Sequence, residues 1–201
     1  RLISLGLLLK KKETALLRPA LFMKVIEQIR ENFRIMDRLS VSVDVDPEVL
    51  LKMLTTSNHL SDLTTFRLLF RLKNINLPSS FSRRGCANTP FQLLSKEGQF
   101  PIIIGLQGQF WKWNPELRTH TPTNFINPEN TNETQVIWLF DAKPGIKSGK
   151  CTLTKELWTR SFTPLATQKF DRYWRRMKHT SKTIRYILLL FIKFHVERKA
   201  K

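Results

Sequence analysis

The sequence contains only two cysteines, Cys86 and Cys151, among its 201 residues. Two cysteines are too few for a disulfide-rich scaffold, so we expect free thiols in a reducing, cytoplasmic compartment. Long apolar runs are also missing, because the stretch from Leu2 to Leu9 is far shorter than the roughly 20 residues that cross a bilayer. No transmembrane helix is therefore predicted.

Acidic residues are scarce: 16 Asp and Glu stand against 34 Lys and Arg, which gives a net charge of +18. Residues 164–201 hold eleven Lys and Arg and two acids, a net +9, and residues 1–24 hold six and one, a net +5. Concentrated positive charge favours anionic partners, although a solvated basic helix face with a basic tail is the simpler interpretation. No nucleic-acid motif accompanies the charge, so nucleic acid is disfavoured, and a peripheral anionic membrane stays as an alternative partner.

Motifs of metal and catalytic sites are absent as well. The histidines are scattered without zinc spacing, and the cysteines do not complete a metal site. Gly105 and Gly108 lie within a predicted strand that no helix follows, which excludes a phosphate-binding loop. No serine or cysteine has the context of a nucleophile elbow. The sequence therefore predicts no metal, no cofactor and no catalytic residue.

Residues 1–22 differ from the rest of the chain, because an apolar stretch is followed by three lysines and amphipathic order begins only at Met23. We expect residues 1–22 to be an extension outside the fold. Two explanations stay open for it: a segment translated upstream of the true start, or a short anchor on a membrane surface. Residues 23–201 are expected to form a single domain.

Helical periodicity is strongest at the C-terminus. From Thr163 to Lys201 the apolar residues recur at steps of three and four, which predicts one long amphipathic helix of roughly 50 Å. Thr163 suits the N-cap and Pro164 the first turn. A lone helix of this kind needs an apolar partner, and the strands predicted elsewhere in the chain make a sheet the natural one.

Between the helices the periodicity changes to two. A predicted helix from Met23 to Met36 is followed by a strand, Leu39–Val45, and a helix that starts at Asp46 and Pro47. A second helix follows over residues 63–72. Further strands are predicted at Phe91–Lys96, Phe100–Trp113, Thr134–Ala142 and Lys150–Thr159. Glycine inside the second of these strands indicates a bulge or a close approach by another group.

Five local patches resemble one protein family. They are Leu39–Val49, Ile104–Trp111, Leu153–Thr159, Phe170-x-x-Tyr173-Trp174 and Ser181-x-x-Ile184-Arg185. In this order they resemble small uncharacterised proteins of the START-like, polyketide-cyclase-like (SRPBCC) superfamily. The resemblance implies an α+β helix-grip fold: an antiparallel curved sheet wrapped around a long C-terminal helix, with two short helices after the first strand. An extra N-terminal helix precedes it here.

The resemblance also implies a cavity between sheet and helix that admits an apolar ligand. We therefore expect non-catalytic binding of a small hydrophobic or amphipathic, lipid-like ligand. Two alternatives stay open: a small cyclase or hydratase that uses Glu156 as acid or base, and an electrostatic binder of anionic membrane or nucleic acid. The residues expected to line the pocket are Phe110, Trp111, Trp138, Phe140, Glu156, Trp158, Phe170, Tyr173, Trp174 and Met177. The expected basic surface consists of Arg172, Arg175, Arg176, Lys182 and Arg185.

Overall fold

The computed structural model describes residues 26–56, 78, 80–86, 89–113, 115–118, 125 and 132–200, in two compact units divided between Phe33 and Arg34. In the first unit, residues 26–32 form helix α1, and the Phe33 amide donates a hydrogen bond to the Ile29 carbonyl (2.9 Å). The predicted helix is wrong at its C-terminal end, because Met36 lies on a strand of the second unit. The predicted boundary after residue 22 lies outside the described residues.

The second unit is an α+β fold with a curved antiparallel sheet and a long C-terminal helix. Its strands are β1 (Arg34–Val43), β2 (Gln92–Leu93), β3 (Ile102–Gly108), β4 (Leu117–Arg118), β5 (Thr134–Pro144) and β6 (Cys151–Ser161). Its helices are α2 (Pro47–Thr56), α3 (Arg83–Cys86) and α4 (Pro164–Ala200). Within the described residues the sheet runs in the order β1-β6-β5-β3-β2, and β4 also pairs with β3. Every pairing is antiparallel, as predicted.

The two sides of the sheet carry different sets of side chains, because neighbouring residues of a strand point to opposite sides. One side, here the helix-facing side, shares a hydrophobic core with α4 and includes Val41, Leu153 and Phe140. The opposite side carries Ile103 and Ile137, which are also fully buried. The period of two along β5 predicts Trp138 and Phe140 on one side of the sheet and Ile137 and Leu139 on the other, and the core membership of these residues confirms it.

Helix α4 begins where the sequence predicts. The Thr163 hydroxyl accepts a hydrogen bond from the Ala166 amide (3.1 Å), so Thr163 caps the first turn and Pro164 opens it. The helix has 37 residues and is therefore about 55 Å long. It packs against β1, β6 and β5, which confirms the predicted contact between the apolar stripe and a sheet.

The other helices are partly as predicted. Helix α2 starts at Pro47, the Leu50 amide donates to the Asp46 carbonyl (3.1 Å), and Leu50 and Leu54 enter the core. Helix α3 was not predicted, since its four residues lie in a polar connection and are too few to show a period. The second predicted helix, residues 63–72, lies outside the described residues.

Strand β3 is shorter than predicted. It ends at Gly108, so Phe110 and Trp111 lie in the turn beyond it rather than on the strand. A Cβ atom on Gly108 would lie 2.6 Å from the Glu116 carbonyl oxygen just before β4. A Cβ atom on Gly105 would lie 2.6 Å from the Phe125 ring. Of the two expectations for these glycines, a bulge or a close approach, the close approach is found at both.

Candidate functional site

Lys155 is buried on the helix-facing side of β6. Its neighbours across the sheet are Leu39 on β1 and Phe140 on β5, and its residue exposure is only 2%. The Nζ atom lies 3.7 Å from the centroid of the Trp138 ring and 5.0 Å from that of Phe140. Among the described residues, this nitrogen has no hydrogen-bond partner. Within this part of the chain, the Lys155 amine therefore lies against two aromatic rings and is not paired with an acid.

These surroundings change the acidity of the amine. Burial lowers the pKa of Lys155 well below its ordinary value of 10.5, and the nearby positive charge of Arg185 lowers it further. Both causes favour the neutral form, because an ammonium group here would be desolvated and close to a second positive charge. A neutral amine among apolar groups can take up a proton when an anion arrives.

Arg185 lies across from this amine on α4 and is only 5% exposed. Its Nη2 atom donates to Oδ2 of Asp37 on β1 (2.7 Å), and its guanidinium carbon lies 5.4 Å from the Trp174 ring centroid. Burial lowers the pKa of Arg185, while the Asp37 charge and hydrogen bond act in the opposite direction. The buried Nη1 atom has no hydrogen-bond partner within the described part of the chain.

Lys155, Arg185 and Asp37 form one group, here the inner basic cluster. Asp37 pairs with Leu157 and Leu39 pairs with Lys155 in the β1–β6 register. Asp37 and Lys155 are therefore diagonal neighbours on the same side of the sheet, a geometry with a typical spacing of about 7–8 Å. The ion pair with Asp37 places the Arg185 guanidinium near the same position. The cluster contains two basic groups, an amine and a guanidinium, and one carboxylate.

An aromatic wall continues from this cluster toward the N-terminus of α4. Phe170 stacks on Trp174 with ring centroids 6.2 Å apart, and it also contacts Tyr173 at 6.0 Å. Phe110, in the turn after β3, meets Phe170 edge-on at 6.4 Å. Because Trp174 also lies beside Arg185, the aromatic wall and the inner basic cluster are continuous.

The middle of α4 is less buried than its two ends. Ala166 and Phe170 are buried near the start, and burial resumes at Arg185, whereas every residue from 171 to 184 is half-buried or exposed. At 3.6 residues per turn, Trp174, Met177 and Ser181 continue the buried stripe, so they face the sheet and yet retain solvent exposure. The helix therefore covers the sheet loosely over its middle turns.

Most residues predicted to line a pocket meet on the helix-facing side. Trp138, Phe140 and Phe170 belong to the core, and four others pack against it: Phe110, Trp111, Tyr173 and Trp174. Met177 is half-buried on the same stripe of α4. Three of these residues contact the inner basic cluster, since Trp138 and Phe140 lie beside Lys155 and Trp174 lies beside Arg185.

Glu156 and Trp158 are the exceptions, because they lie on the opposite side of the sheet. The Glu156 carboxylate forms an ion pair with Arg38 and accepts a hydrogen bond from Nε1 of Trp158 (2.8 Å). Arg38 and Glu156 are cross-strand partners on β1 and β6. The arginines of α4 do not face this carboxylate, since α4 packs against the other side of the sheet. Placing Glu156 and Trp158 in the pocket was therefore wrong.

The predicted basic surface also needs one correction. Four of its members are exposed on α4: Arg172, Arg175, Arg176 and Lys182. Arg185 is buried in the inner basic cluster instead, because it falls on the core stripe of the helix.

The sequence contained a signal for Lys155 that the prediction did not use. Leu153, Lys155 and Leu157 alternate along β6, so a lysine occupies a position that the period of two assigns to the apolar side. For Asp37 there was no comparable signal, because its partner lies 148 residues away.

A second polar cluster holds the opposite side of the sheet together. Gln107 donates to Glu133 (2.8 Å), Gln135 donates to Gln107 (2.9 Å), and Arg118 pairs with Glu133 (2.8 Å). Gln135 also donates to the Phe125 carbonyl. This network joins β3, β4 and β5 and fixes Phe125 over Gly105, which is a structural role.

No metal centre is evident in the part of the chain that the structure describes, since no three His, Cys, Asp or Glu residues are placed to hold an ion. Cys86 and Cys151 are both buried and free. Burial raises the pKa of Cys86 to about 11 and also raises that of Cys151, so neither is a reactive thiolate.

Comparison with known proteins adds no family to this picture. No protein-family model matches the chain, and a search of curated proteins finds no match.

Proposed function

We propose that the second unit is a helix-grip domain of the START-like type that binds a small hydrophobic or amphipathic ligand between its sheet and α4. The sheet order and the position of α4 agree with that fold. The proposed role is non-catalytic carriage or sequestration, because the side chains that meet here supply an apolar lining and hydrogen-bond donors.

One observation carries this proposal. The inward-facing residues Trp174, Met177 and Ser181 keep solvent exposure, although the same stripe of α4 has fully buried residues before and after them. Ligand sites are typically apolar concavities with a few polar groups that fix orientation. The loosely covered middle of α4, the aromatic wall and the inner basic cluster together fit that description.

The enzyme alternative receives less support from the geometry. Glu156 lies on the opposite side of the sheet and is already engaged by Arg38 and Trp158. An acid or base must come within hydrogen-bond reach of its substrate. A ligand beneath α4 would be separated from Glu156 by the sheet.

The test blocks the proposed site with a bulky side chain introduced on α4. Ser181→Trp places a large ring on the side of α4 that faces the sheet. Lys182→Trp places the same ring one residue further along, on the exposed side of the helix. Native mass spectrometry and solvent extraction of the purified full-length chain would first identify carried lipids. Binding of the extracted ligand should then be abolished in Ser181→Trp and unchanged in Lys182→Trp, with both variants checked for folding by circular dichroism. A wild-type protein that carries and binds no amphipath, or two variants that bind alike, would contradict the proposal.

A second candidate function is supported by the outward side of α4. Arg172, Arg175, Arg176 and Lys182 are exposed there, and Tyr186, Ile187 and Phe194 are exposed apolar side chains on the same helix. No helix within the described residues is long and apolar enough to cross a membrane. Basic and aromatic residues on one exposed helix face suit peripheral contact with an anionic bilayer, from which a lipid-like ligand could be collected.

Vesicle sedimentation separates this second candidate from the first. Binding to phosphatidylserine vesicles should exceed binding to phosphatidylcholine vesicles and should decrease as salt screens the charges. Arg175→Gln combined with Arg176→Gln should weaken vesicle binding, while binding of a ligand beneath α4 stays unchanged. Equal binding to both vesicle types would exclude this role.

A further inference from the structure

The inner basic cluster contains two buried donors without acceptors. Within the described residues, neither Nζ of Lys155 nor Nη1 of Arg185 has a hydrogen-bond partner. Buried polar groups in folded proteins nearly always have partners, and a buried cation is costly unless it is paired. These donors therefore mark a position that suits an acceptor from outside the chain.

The charges of the cluster indicate what that acceptor carries. Asp37 balances Arg185 through the 2.7 Å ion pair, so a protonated Lys155 adds one unbalanced positive charge. A monoanion cancels this excess, whereas a dianion would leave a net negative charge among apolar groups. A carboxylate has one negative charge and two oxygens, which matches two donors on separate side chains.

We propose that the ligand is an amphipathic carboxylic acid, whose carboxylate accepts hydrogen bonds from Lys155 and Arg185 while its apolar part lies along the aromatic wall. This inference rests on the proposed binding function and specifies the chemical class of the ligand. Trp138 and Phe140 form the base of the head-group position, since both rings already contact the Lys155 amine. Trp174 connects that position with Phe170 and the loosely covered part of α4.

Binding of the acid should be accompanied by proton uptake. In the unliganded protein, burial and Arg185 favour the neutral amine of Lys155. A carboxylate nearby favours the ammonium form and raises the pKa again. A proton therefore moves from solvent to Lys155 as the ion pair forms, and a fixed structural lysine would give no such uptake.

The experiment compares acids with matched neutral lipids. Octanoate, dodecanoate and hexadecanoate are titrated into the delipidated full-length chain beside the corresponding alcohols and methyl esters. We expect at least one acid to bind about tenfold or more tightly than its alcohol, the gain of a charge-assisted hydrogen bond. Calorimetry in phosphate and in Tris buffer near pH 8 should report net proton uptake when the acid binds, and none when the alcohol binds.

Two variants complete the experiment. Lys155→Met retains the length and apolar stem of the side chain, and it should abolish both the preference for the acid and the proton uptake while the alcohol still binds. Lys143→Met, at an exposed position of β5, should behave as the wild type. If the wild type binds acid and alcohol with equal affinity, or if Lys155→Met still prefers the acid, the inference is overturned. The proposed binding function is not affected by either result. Failure of every acid, alcohol and ester to bind would overturn the binding function itself.

Discussion

The Nζ atom of Lys155 lies 3.7 Å from the centroid of the Trp138 ring, on the side of the sheet that faces α4. A cation over an indole face is stabilised by about 2 kcal/mol or more when both are desolvated. A ring face nevertheless replaces only part of the hydration that an ammonium group loses on burial. The contact with the Trp138 ring therefore offsets only part of the free-energy cost of burying the Lys155 amine.

The first prediction follows from this imbalance. Lys155→Met should raise the free energy of unfolding of the unliganded protein by about 1–3 kcal/mol, because it removes a buried polar group and keeps a similar volume. Urea denaturation gives the measurement, and Lys143→Met, at an exposed site, should change stability by less than about 0.5 kcal/mol. A lower stability for Lys155→Met would mean that the amine has a structural partner that stabilises the fold.

The second prediction concerns pH. Lys155 titrates near 10.5 in the unfolded chain and well below that in the folded protein, so between these values the unfolded state holds more protons. The free energy of unfolding should therefore rise with pH in this window, with a slope of at most about 1.4 kcal/mol per pH unit. The stability difference between Lys155→Met and wild type should thus shrink as the pH increases toward 10.5.

Other groups titrate in the same range, and the comparison of two variants removes their effect. Burial raises the pKa of Cys86 from 9.0 to about 11, so Cys86 alone makes the fold less stable as the pH rises through that interval. This contribution is common to wild type and Lys155→Met and cancels in their difference. A pH-independent difference would show that the Lys155 amine titrates alike in both states.

The sequence predicted the elements of this fold better than the roles of its two sides. Thr163 and the apolar stripe after it determine α4 through local rules, and alternation correctly separated Trp138 from Ile137. Alternation cannot say which side α4 covers, because both sides of β5 are apolar. An aromatic side chain at Trp158 favoured the interpretation that its side of β6 faces α4, but that side faces away from α4.

Local sequence rules mark only one member of the inner basic cluster, since alternation along β6 places Lys155 on the apolar side but does not indicate its partners. Lys155 looked like an ordinary strand lysine beside the more conspicuous acid Glu156. Asp37 meets Arg185 only because the β1–β6 register and the rotation of α4 bring them together. Interactions over such sequence separations depend on tertiary structure, which periodicity does not encode.

The third prediction concerns the Glu156 carboxylate, on the side of the sheet away from α4. Glu156→Gln should leave ligand binding unchanged, because the side chain points away from α4, and a glutamine oxygen can still accept the Trp158 hydrogen bond. Arg38→Met should destabilise the fold by about 1–3 kcal/mol, which is more than Glu156→Gln does, since it leaves the Glu156 carboxylate without its cation. Thermal denaturation and ligand titration of both variants give the measurement. Loss of ligand binding in Glu156→Gln would contradict this prediction and favour the acid–base alternative.

The fourth prediction tests how the opposite side of the sheet is packed. A Cβ atom on Gly105 would lie 2.6 Å from the Phe125 ring and 2.9 Å from a methyl carbon of Leu94. Gly105→Ala should therefore destabilise the fold by about 1–3 kcal/mol through overpacking. Phe125→Leu, combined with Gly105→Ala, should reduce that cost, because the smaller side chain leaves room for the added methyl group.

A double-mutant cycle of these two substitutions, measured by urea denaturation, gives their coupling directly. We expect a coupling energy of at least about 0.5 kcal/mol, in the direction that makes the double variant more stable than the sum of the single effects. Additive effects would mean that the Phe125 ring does not occupy the space above Gly105. Ligand binding should be unaffected in all three variants, since their substitutions lie on the side of the sheet away from α4 and the inner basic cluster.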